Sequence, residues 1–411
     1  MKEEHLKFVI VGHVDHGKST LIGRLFYDTD SLPEEKIEEI RKVCEAAGKE
    51  LEFAYVMDHL EEERDQNITI DTTQTFFKTD KRRYVIIDAP GHREFTKNMI
   101  TGASQAEAAI LIVDADDGVQ EQTRRHAYIL HMLGIDQVIV VINKMDLIDY
   151  KEERFNEVKE ELLKFLEGIN IKPSYIIPIS AKQGDNVAKN SENMPWYEGL
   201  TVLLALDTFK IKSDRSNLPL RMPVQDVYKI NGKRIIVGRV EAGTIKEGQN
   251  VIFLPDKEES KIISVEEFLN NGKKEANFGE STGIVIKDKL FVDRGQIICE
   301  ENNLPIITKK IKGNIFWMGK KDFKKGERTV IKCGTQETNC SLEKIEKRLN
   351  SSTLEVLEKD AKIIKNREVG EVILALDNDF VIDDFNQTPE LGRFVIERDN
   401  DIVAGGIVIL K

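Results

Sequence analysis

The feature that most constrains the fold is the loop at residues 12–19, Gly-His-Val-Asp-His-Gly-Lys-Ser. It follows an apolar run at residues 8–11 and precedes a helix-like segment at residues 20–26. A strand, a glycine-containing loop and a helix in this order are typical of a phosphate-binding loop. Gly12 and Gly17 let the backbone turn tightly, so that successive amide N–H groups can point at phosphate oxygens. The sequence therefore predicts a nucleoside triphosphate site.

Two side chains at the end of this loop have predicted roles. Lys18 is placed to reach the outer phosphates, and the Ser19 hydroxyl is placed to ligate Mg²⁺. The positive end of the following helix favours the same anion. The predicted nucleotide contacts of this segment are Gly12, His13, Val14, Asp15, His16, Gly17, Lys18, Ser19 and Thr20.

Apolar runs of strand length recur through residues 1–208, at residues 8–11, 84–87, 108–113, 138–142 and 175–179. They are continuous rather than alternating, as expected for parallel strands that are covered on both faces. Between them, residues 121–133 and 152–166 carry apolar residues at helical spacing. We therefore expect an α/β P-loop domain with a mostly parallel sheet and helices on both faces.

Strand patterns dominate the second half of the chain. Residues 227–230 and 234–237 flank Asn231 and Gly232, a sequence that favours a β-hairpin with a tight turn. Further glycines separate other short strands, and two antiparallel β-barrels fit this pattern. The predicted domains are a nucleotide-binding domain at residues 1–208 and β-barrels at residues 219–302 and 304–411.

A long insertion at residues 29–71 separates the first helix from the second predicted strand, and it includes a charged helix at about residues 34–47. Insertions of this length are usually functional or disordered. Thr69, near its end, is placed to join Mg²⁺ only while the γ-phosphate is present, which would order the insertion in one nucleotide state. A plain β-strand threonine is the alternative.

Asp88, Gly91 and His92 follow the predicted strand at residues 84–87. Asp88 can hold Mg²⁺ through water, beside Ser19. Gly91 lets a backbone N–H approach the γ-phosphate, and His92 can orient the attacking water as the catalytic residue.

Two further motifs follow later strands. In Asn143-Lys144-Met145-Asp146, the Asp146 carboxylate can accept two hydrogen bonds from the guanine ring N–H and its exocyclic amine. Adenine lacks that amine, so the sequence predicts selectivity for GTP. Ser180, Ala181 and Lys182 are predicted to close over the base. All of these motifs lie at carboxyl ends of predicted strands, where such sheets bind ligands.

Composition limits the other functions. The net charge of −12 argues against a general DNA-binding protein, although it leaves room for a local basic face that binds tRNA. The apolar runs are far shorter than a membrane span, and the start of the sequence leaves no room for a signal peptide, so we expect a cytoplasmic protein without a membrane partner. The cysteines, Cys44, Cys299, Cys333 and Cys340, are scattered, and we expect structural thiols rather than a zinc site.

The loop at residues 12–19, the block at residues 88–102 and the motif at residues 143–146 resemble those of translation-factor-class GTPases, and the similarity extends over essentially the whole chain. This resemblance implies a GTPase domain followed by two β-barrels. It also implies that GTP or GDP and Mg²⁺ are the cofactors, with Ser19, Thr69 and Asp88 at the metal.

Two branches of that class fit the sequence. Several stretches resemble the GTPase subunit of bacterial ATP sulfurylase, at residues 63–71, 122–126, 184–187, 194–197 and 316–318, whereas His13 and His16 match elongation factors. The favoured hypothesis is the sulfurylase (sulfate adenylyltransferase) subunit, which hydrolyses GTP to drive synthesis of adenosine 5′-phosphosulfate on a partner catalytic subunit. The alternatives are an elongation-factor-type GTPase that delivers aminoacyl-tRNA to the ribosome, and a stand-alone regulatory GTPase with an unknown partner.

Overall fold

The computed structural model describes residues 5–32, 37–38, 42, 53, 74–87, 106–210, 215–230, 232–267 and 273–410. The chain divides into two compact units, Met1–Lys212 and Ser213–Lys411. Thr69, Asp88, Gly91 and His92, together with Cys44 and most of the helix predicted in the insertion, lie outside the described residues.

The first unit is built on a sheet whose described strands are β1 (His5–Gly12), β2 (Gln74–Lys78), β3 (Arg83–Ile87), β4 (Ala108–Asp114), β5 (Gln137–Asn143) and β6 (Tyr175–Pro178). Their order across the sheet is β2-β3-β1-β4-β5-β6. Only β2 runs antiparallel among these strands. The predicted mostly parallel sheet is therefore confirmed, and its parallel carboxyl ends lie at one edge.

Three described helices lie between these strands, α1 (Lys18–Asp28), α2 (Glu121–Met132) and α3 (Glu152–Gly168), and α4 (Val202–Thr208) follows β6. Acidic residues in the first turns of α2 and α3 match the positive end of each helix dipole. The Thr201 hydroxyl caps α4 by accepting a hydrogen bond from the Leu204 N–H at 3.4 Å.

The sheet of the first unit is buried on both faces. On one face, Phe8, Ile110 and Val141 pack with Leu21 of α1 and Val202 of α4 in a single hydrophobic cluster. The alternate residues of the same strands, including Val9, Leu111 and Val140, are also fully buried, and α2 and α3 pack against β4 and β5. Burial of alternating residues on both sides explains why the strands appear in the sequence as continuous apolar runs.

The second unit contains two antiparallel barrels. The strands of the first part are β7 (Arg221–Ile230), β8 (Lys233–Arg239), β9 (Thr244–Lys246), β10 (Asn250–Leu254), β11 (Glu258–Glu266), β12 (Glu275–Asn277), β13 (Ser281–Ile286) and β14 (Ile297–Cys299). Six of these described strands close a barrel in the order β10-β11-β13-β8-β7-β14. The predicted hairpin is β7 and β8, where Ile230 pairs with Lys233 and Gly232 has a φ of 79°.

The strands of the second part are β15 (Ile306–Trp317), β16 (Phe323–Lys324), β17 (Arg328–Cys333), β18 (Gln336–Asn350), β19 (Val356–Ala361), β20 (Ile363–Ile364), β21 (Glu368–Ile382), β22 (Arg393–Arg398) and β23 (Asp401–Val408), with the short helix α5 (Pro389–Gly392) before β22. The main sheet has the order β17-β22-β23-β15-β21-β18-β19, and pairing of β17 with β18 closes it. Trp317 is fully buried and stacks on Phe323 with ring centroids 4.5 Å apart.

A buried arginine joins the two barrels. Arg221 of β7 donates from Nε to Asp383 Oδ2 at 2.7 Å, and it donates to both the backbone and the side-chain oxygen of Asn303 at 2.9 Å. A second ion pair joins Arg215 to Glu390 at 2.9 Å. An apolar cluster from both barrels lies beside these pairs: Ile252, Leu254, Ile297, Cys299, Val381 and Leu391.

The thiols of the described cysteines are buried, and burial raises the pKa of the Cys299 and Cys333 thiols to about 12. Cys299 belongs to the interface between the barrels, and Cys333 to the core of the second barrel. Among the helices that the structure describes, none has the length and apolar character to cross a membrane.

We predict that Arg221→Ala lowers the free energy of unfolding by about 3–5 kcal/mol, because it leaves the largely buried Asp383 without its cation. Urea titration of the full chain measures this change. Arg328→Ala is the matched control, since Arg328 and its partner Asp377 are 65% and 45% exposed. It should cost less than about 1 kcal/mol. Equal costs for the two variants would contradict the role given to Arg221.

Candidate nucleotide site

The candidate site lies where the parallel strands of the first unit end. Gly12 at the end of β1 pairs with Ile112 of β4, and Asp114 at the end of β4 pairs with Asn143 at the end of β5. Ser180 lies two residues after the end of β6, at the same edge of the sheet. The register of the sheet therefore brings together segments that are far apart in the sequence.

The glycines of the first loop are required by its geometry. Gly17 precedes α1 with φ 90° and ψ 31°, a left-handed conformation, and a Cβ there would lie 2.4 Å from Asn143 Nδ2. A Cβ on Gly12 would lie 2.3 Å from the Ile112 carbonyl oxygen. Among the described residues, no side chain caps the N-terminus of α1. The first N–H groups of a helix without a side-chain cap suit an anionic ligand.

Lys18 is held against the same loop. Its Nζ donates to the carbonyl oxygens of Gly12 at 3.1 Å and His13 at 2.7 Å. These bonds close the loop around the ammonium, which gives the concave backbone and fixed positive charge that a phosphate needs. Ser19, the next residue, is exposed. This part of the site fits the predicted nucleotide.

His16 lies beneath the loop. Its ring is fully buried, and its Nδ1 accepts a hydrogen bond from the Asp114 N–H at 3.2 Å. Burial lowers the pKa of His16 to about 4, so that the imidazole is neutral at pH 7 and can act as this acceptor. The ring of His13 lies 5.1 Å away, measured between centroids. The structure thus places the His16 side chain against the sheet, where it supports the loop.

Asn143 connects this loop to the segment after β6. Its Nδ2 donates to the His16 carbonyl oxygen at 2.9 Å, and its Oδ1 accepts from the Ala181 N–H at 2.9 Å. The residue is 2% exposed. Both ends of the amide are therefore occupied by backbone, and the contribution of this side chain to the site is to hold two loops together.

Lys144 and Asp146 follow at the end of β5. Lys144 has φ 63° and ψ 35°, and its Nζ lies 2.7 Å from Asp114 Oδ2. Met145 is fully buried, and its N–H donates to the Ile179 carbonyl oxygen at 3.1 Å. This anchors a short 3₁₀ helix, Met145–Ile148, in whose first turn Asp146 is half-buried.

The predicted base loop is itself well braced. Ser180 is fully buried, and its hydroxyl accepts from the Gln183 N–H at 3.2 Å, while Lys182 is exposed. Gly184 has φ 87°, and a Cβ there would lie 2.2 Å from the guanidinium of Arg24. The Tyr150 hydroxyl donates to Asp185 Oδ2 at 3.1 Å. The base loop thus lies close to Arg24 of α1 and is hydrogen-bonded to Tyr150, which follows the 3₁₀ helix.

Three residues of this site were missed by the sequence reasoning: Asp114, Arg24 and Tyr150. Asp114 had a usable signal, because it directly follows the apolar run at residues 108–113. Arg24 lies within α1 and Tyr150 follows the 3₁₀ helix, so neither is at the end of a strand. Only folding brings them close to the base loop. The predicted Mg²⁺ ligands Thr69 and Asp88 lie outside the described residues, and within the described part no group of three possible metal ligands occurs.

Two models of known protein families match this chain. The family model for the elongation factor Tu GTP-binding domain matches residues 3–218. The model described as GTP-eEF1A C-terminal domain-like matches residues 310–409.

Curated relatives match nearly the whole chain. Elongation factor 1-alpha of Thermoplasma acidophilum is 42% identical, over 98% of this chain and 97% of the relative. The elongation factors 1-alpha of Methanoculleus marisnigri and Methanopyrus kandleri are each 40% identical, over 99% of this chain and 97% and 98% of the relatives.

These relatives overturn the sulfurylase hypothesis and, with it, the predicted partnership with a catalytic sulfurylase subunit. In the described stretches that suggested a sulfurylase subunit, several side chains make contacts within the fold. Asn186 donates to the Pro178 carbonyl oxygen, Trp196 donates to the Tyr150 carbonyl oxygen, and Trp317 stacks within its barrel. Packing of this kind can serve any branch of the fold, so these stretches could not decide between branches.

His13 and His16, which match elongation factors in the sequence, pointed to the other branch. The family models and the relatives also indicate the elongation-factor branch, and their matches include both the nucleotide-binding half and the C-terminal barrel. The chain belongs to the elongation factor Tu and elongation factor 1-alpha family of translation-factor GTPases, which bind GTP and GDP with Mg²⁺.

Proposed function

We propose that this GTPase delivers aminoacyl-tRNA to the ribosome, binding it in the GTP form and releasing it after hydrolysis. The observation that carries the proposal is full-length similarity to proteins named elongation factor 1-alpha, at 42% and 40% identity. Since the aligned region includes both barrels as well as the nucleotide-binding unit, the proposal concerns the whole chain and not only its GTPase chemistry. Such a factor works with ribosomes, so we place it in the cytoplasm.

For the phosphate side, we propose that the amides of residues 12–20 and the Lys18 ammonium bind the phosphate oxygens. Lys18 is already held on the loop by the carbonyls of Gly12 and His13. The Ser19 hydroxyl, exposed at the start of α1, is the proposed Mg²⁺ ligand from this loop. Mg²⁺ would neutralise charge that develops on the phosphates during hydrolysis.

For the base side, we propose that Asp146 accepts the guanine ring N–H and exocyclic amine. The aliphatic stem of Lys144 offers an apolar surface to the ring, and the loop of Ser180, Ala181 and Lys182 closes the pocket. Support comes from the way Asn143 binds the backbone of His16 and Ala181 at once. That arrangement fixes the distance between the phosphate loop and the base loop.

The remaining proposed residues lie outside the described part of the chain. Thr69 and Asp88 are the proposed further groups at Mg²⁺, Gly91 is the proposed close approach to the γ-phosphate, and His92 is the proposed catalytic residue that orients water. We also retain, as a proposal, the domain boundaries 1–208, 219–302 and 304–411. The strands of the two barrels, from Arg221 to Cys299 and from Ile306 to Val408, fall within the last two ranges.

We predict that Asp146→Asn weakens GTP binding and favours xanthosine triphosphate, whose ring carries a carbonyl where guanine has the amine. Competition binding with both nucleotides measures this switch. Asp149→Asn is the matched control, because the Asp149 side chain is 83% exposed and lies in the same turn of the chain. An unchanged preference for GTP in Asp146→Asn would place the base elsewhere.

We predict that the protein slows deacylation of aminoacyl-tRNA when it is loaded with a non-hydrolysable GTP analogue, and not when it is loaded with GDP. The reason is the proposed contact of Thr69 with Mg²⁺, which would form only while the γ-phosphate is present and would therefore distinguish the two nucleotide states. Release of a radiolabelled amino acid at micromolar protein measures protection. Equal deacylation rates with the analogue, with GDP and without protein would contradict the delivery function while leaving the GTPase assignment intact.

A further inference from the structure

A buried carboxylate at the end of β4 lies between the phosphate loop and the base motif. Asp114 is 2% exposed, and the motifs that define the nucleotide site in the sequence do not include it. Burial of a carboxylate is costly unless its oxygens are hydrogen-bonded and its charge is paired. The contacts of Asp114 therefore indicate what the residue is for.

Each carboxylate oxygen has a separate task. Oδ1 accepts hydrogen bonds from the N–H groups of Asp116 at 2.8 Å and Asp117 at 3.4 Å, which shapes the turn after β4. Oδ2 lies 2.7 Å from the Nζ of Lys144. The turn contacts need only a hydrogen-bond acceptor, whereas the lysine contact also uses the negative charge.

The backbone of the same residue contacts the phosphate loop. The Asp114 N–H donates to His16 Nδ1 at 3.2 Å, and Asp114 pairs with Asn143 across the sheet. The next N–H, that of Ala115, donates to the Asn143 carbonyl oxygen at 2.8 Å. One residue is thus joined to the loop that holds the phosphates and to the motif that holds the base.

Lys144 needs such a partner. It has a left-handed backbone conformation, and 30% of its side chain is exposed at the edge of the sheet. A lysine side chain that is ordered only when a ligand binds loses rotamer freedom at that moment, and the loss weakens binding. A lysine that is already held by a buried carboxylate has lost that freedom before the ligand arrives.

We propose that Asp114 is a positioning residue for guanine nucleotide binding, which acts by holding Lys144 in the conformation that receives the base. The inference rests on the base site proposed above. It predicts an effect on binding that is common to GDP and GTP, because Lys144 follows β5 on the base side of the site. The hydrolysis step, which we assign to other residues, should not depend on it.

The test is a double-mutant cycle on the full chain with Asp114→Asn, Lys144→Met and the double variant. Asparagine keeps an acceptor for the N–H groups of Asp116 and Asp117 and removes the charge. Alone, Asp114→Asn should weaken binding of GDP and of a GTP analogue by about 10- to 100-fold each. In hydrolysis assays KM should rise, while kcat at saturating GTP should change by less than about twofold.

In the Lys144→Met background the same substitution should change nucleotide affinity by less than about twofold, since the group on which Asp114 acts is gone. Asp116→Asn is the matched control. It makes the same charge change at an exposed residue. The contacts of Asp116 with Asp114 and Arg154 are made by its backbone N–H and carbonyl oxygen, which the substitution keeps. The nucleotide affinity of Asp116→Asn should therefore match that of the wild type.

Two results would overturn the inference: wild-type affinity in Asp114→Asn, or an equal loss of affinity with and without Lys144. The second would indicate that Asp114 acts only by supporting the fold. Failure of the base site itself is distinguished by Asp146→Asn. If that variant shifts preference to xanthosine triphosphate while Asp114→Asn binds normally, the base site stands and only the role of Asp114 is lost.

Discussion

The nucleotide site depends on one buried amide. Asn143 donates to the His16 carbonyl oxygen and accepts from the Ala181 N–H, and both hydrogen bonds are 2.9 Å long. Loss of this side chain would leave two buried backbone groups without their partner, at a cost of about 1–3 kcal/mol for each group. The amide thereby fixes the spacing between the phosphate loop and the base loop, which a nucleotide must span. Parallel register across β1, β4 and β5 places Asn143 where it can do this.

Close packing around this amide explains why certain residue types occur in the phosphate loop, where phosphate binding alone does not require them. Gly17 supplies a left-handed turn and also leaves room for Asn143, while Gly12 allows close approach of β1 and β4. His16 stays neutral in its buried position and accepts a hydrogen bond from the end of β4. The phosphate loop is therefore shaped as much by the sheet beneath it as by the ligand that it is expected to bind.

Much of this architecture could be predicted from the sequence, because it depends on local patterns. Each continuous apolar run in the first half became a parallel strand, and Asn231-Gly232 marked the hairpin of β7 and β8. The Asp114–Lys144 pair could not be predicted in the same way, since Asp114 ends β4, Lys144 directly follows β5, and the two meet only through the register of the sheet. The same is true of Arg221, which joins two barrels across 162 residues of sequence.

The choice of branch failed for a related reason. The stretches that suggested a sulfurylase subunit include residues such as Asn186 and Trp196, whose contacts are with the scaffold of the first unit. Such residues follow the packing of a fold and do not indicate its partner. The full-length relatives identified the elongation-factor branch. A member of this family is expected to have a nucleotide site that distinguishes guanine from adenine.

Calorimetric titration of nucleotide-free protein with GDP and with ADP tests that expectation most directly. The account predicts one GDP bound per chain and an affinity for GDP at least about 10⁴-fold higher than for ADP, because adenine lacks the amine that the Asp146 carboxylate is proposed to bind. Affinities for the two nucleotides within about tenfold of each other would contradict the guanine site at the end of β5.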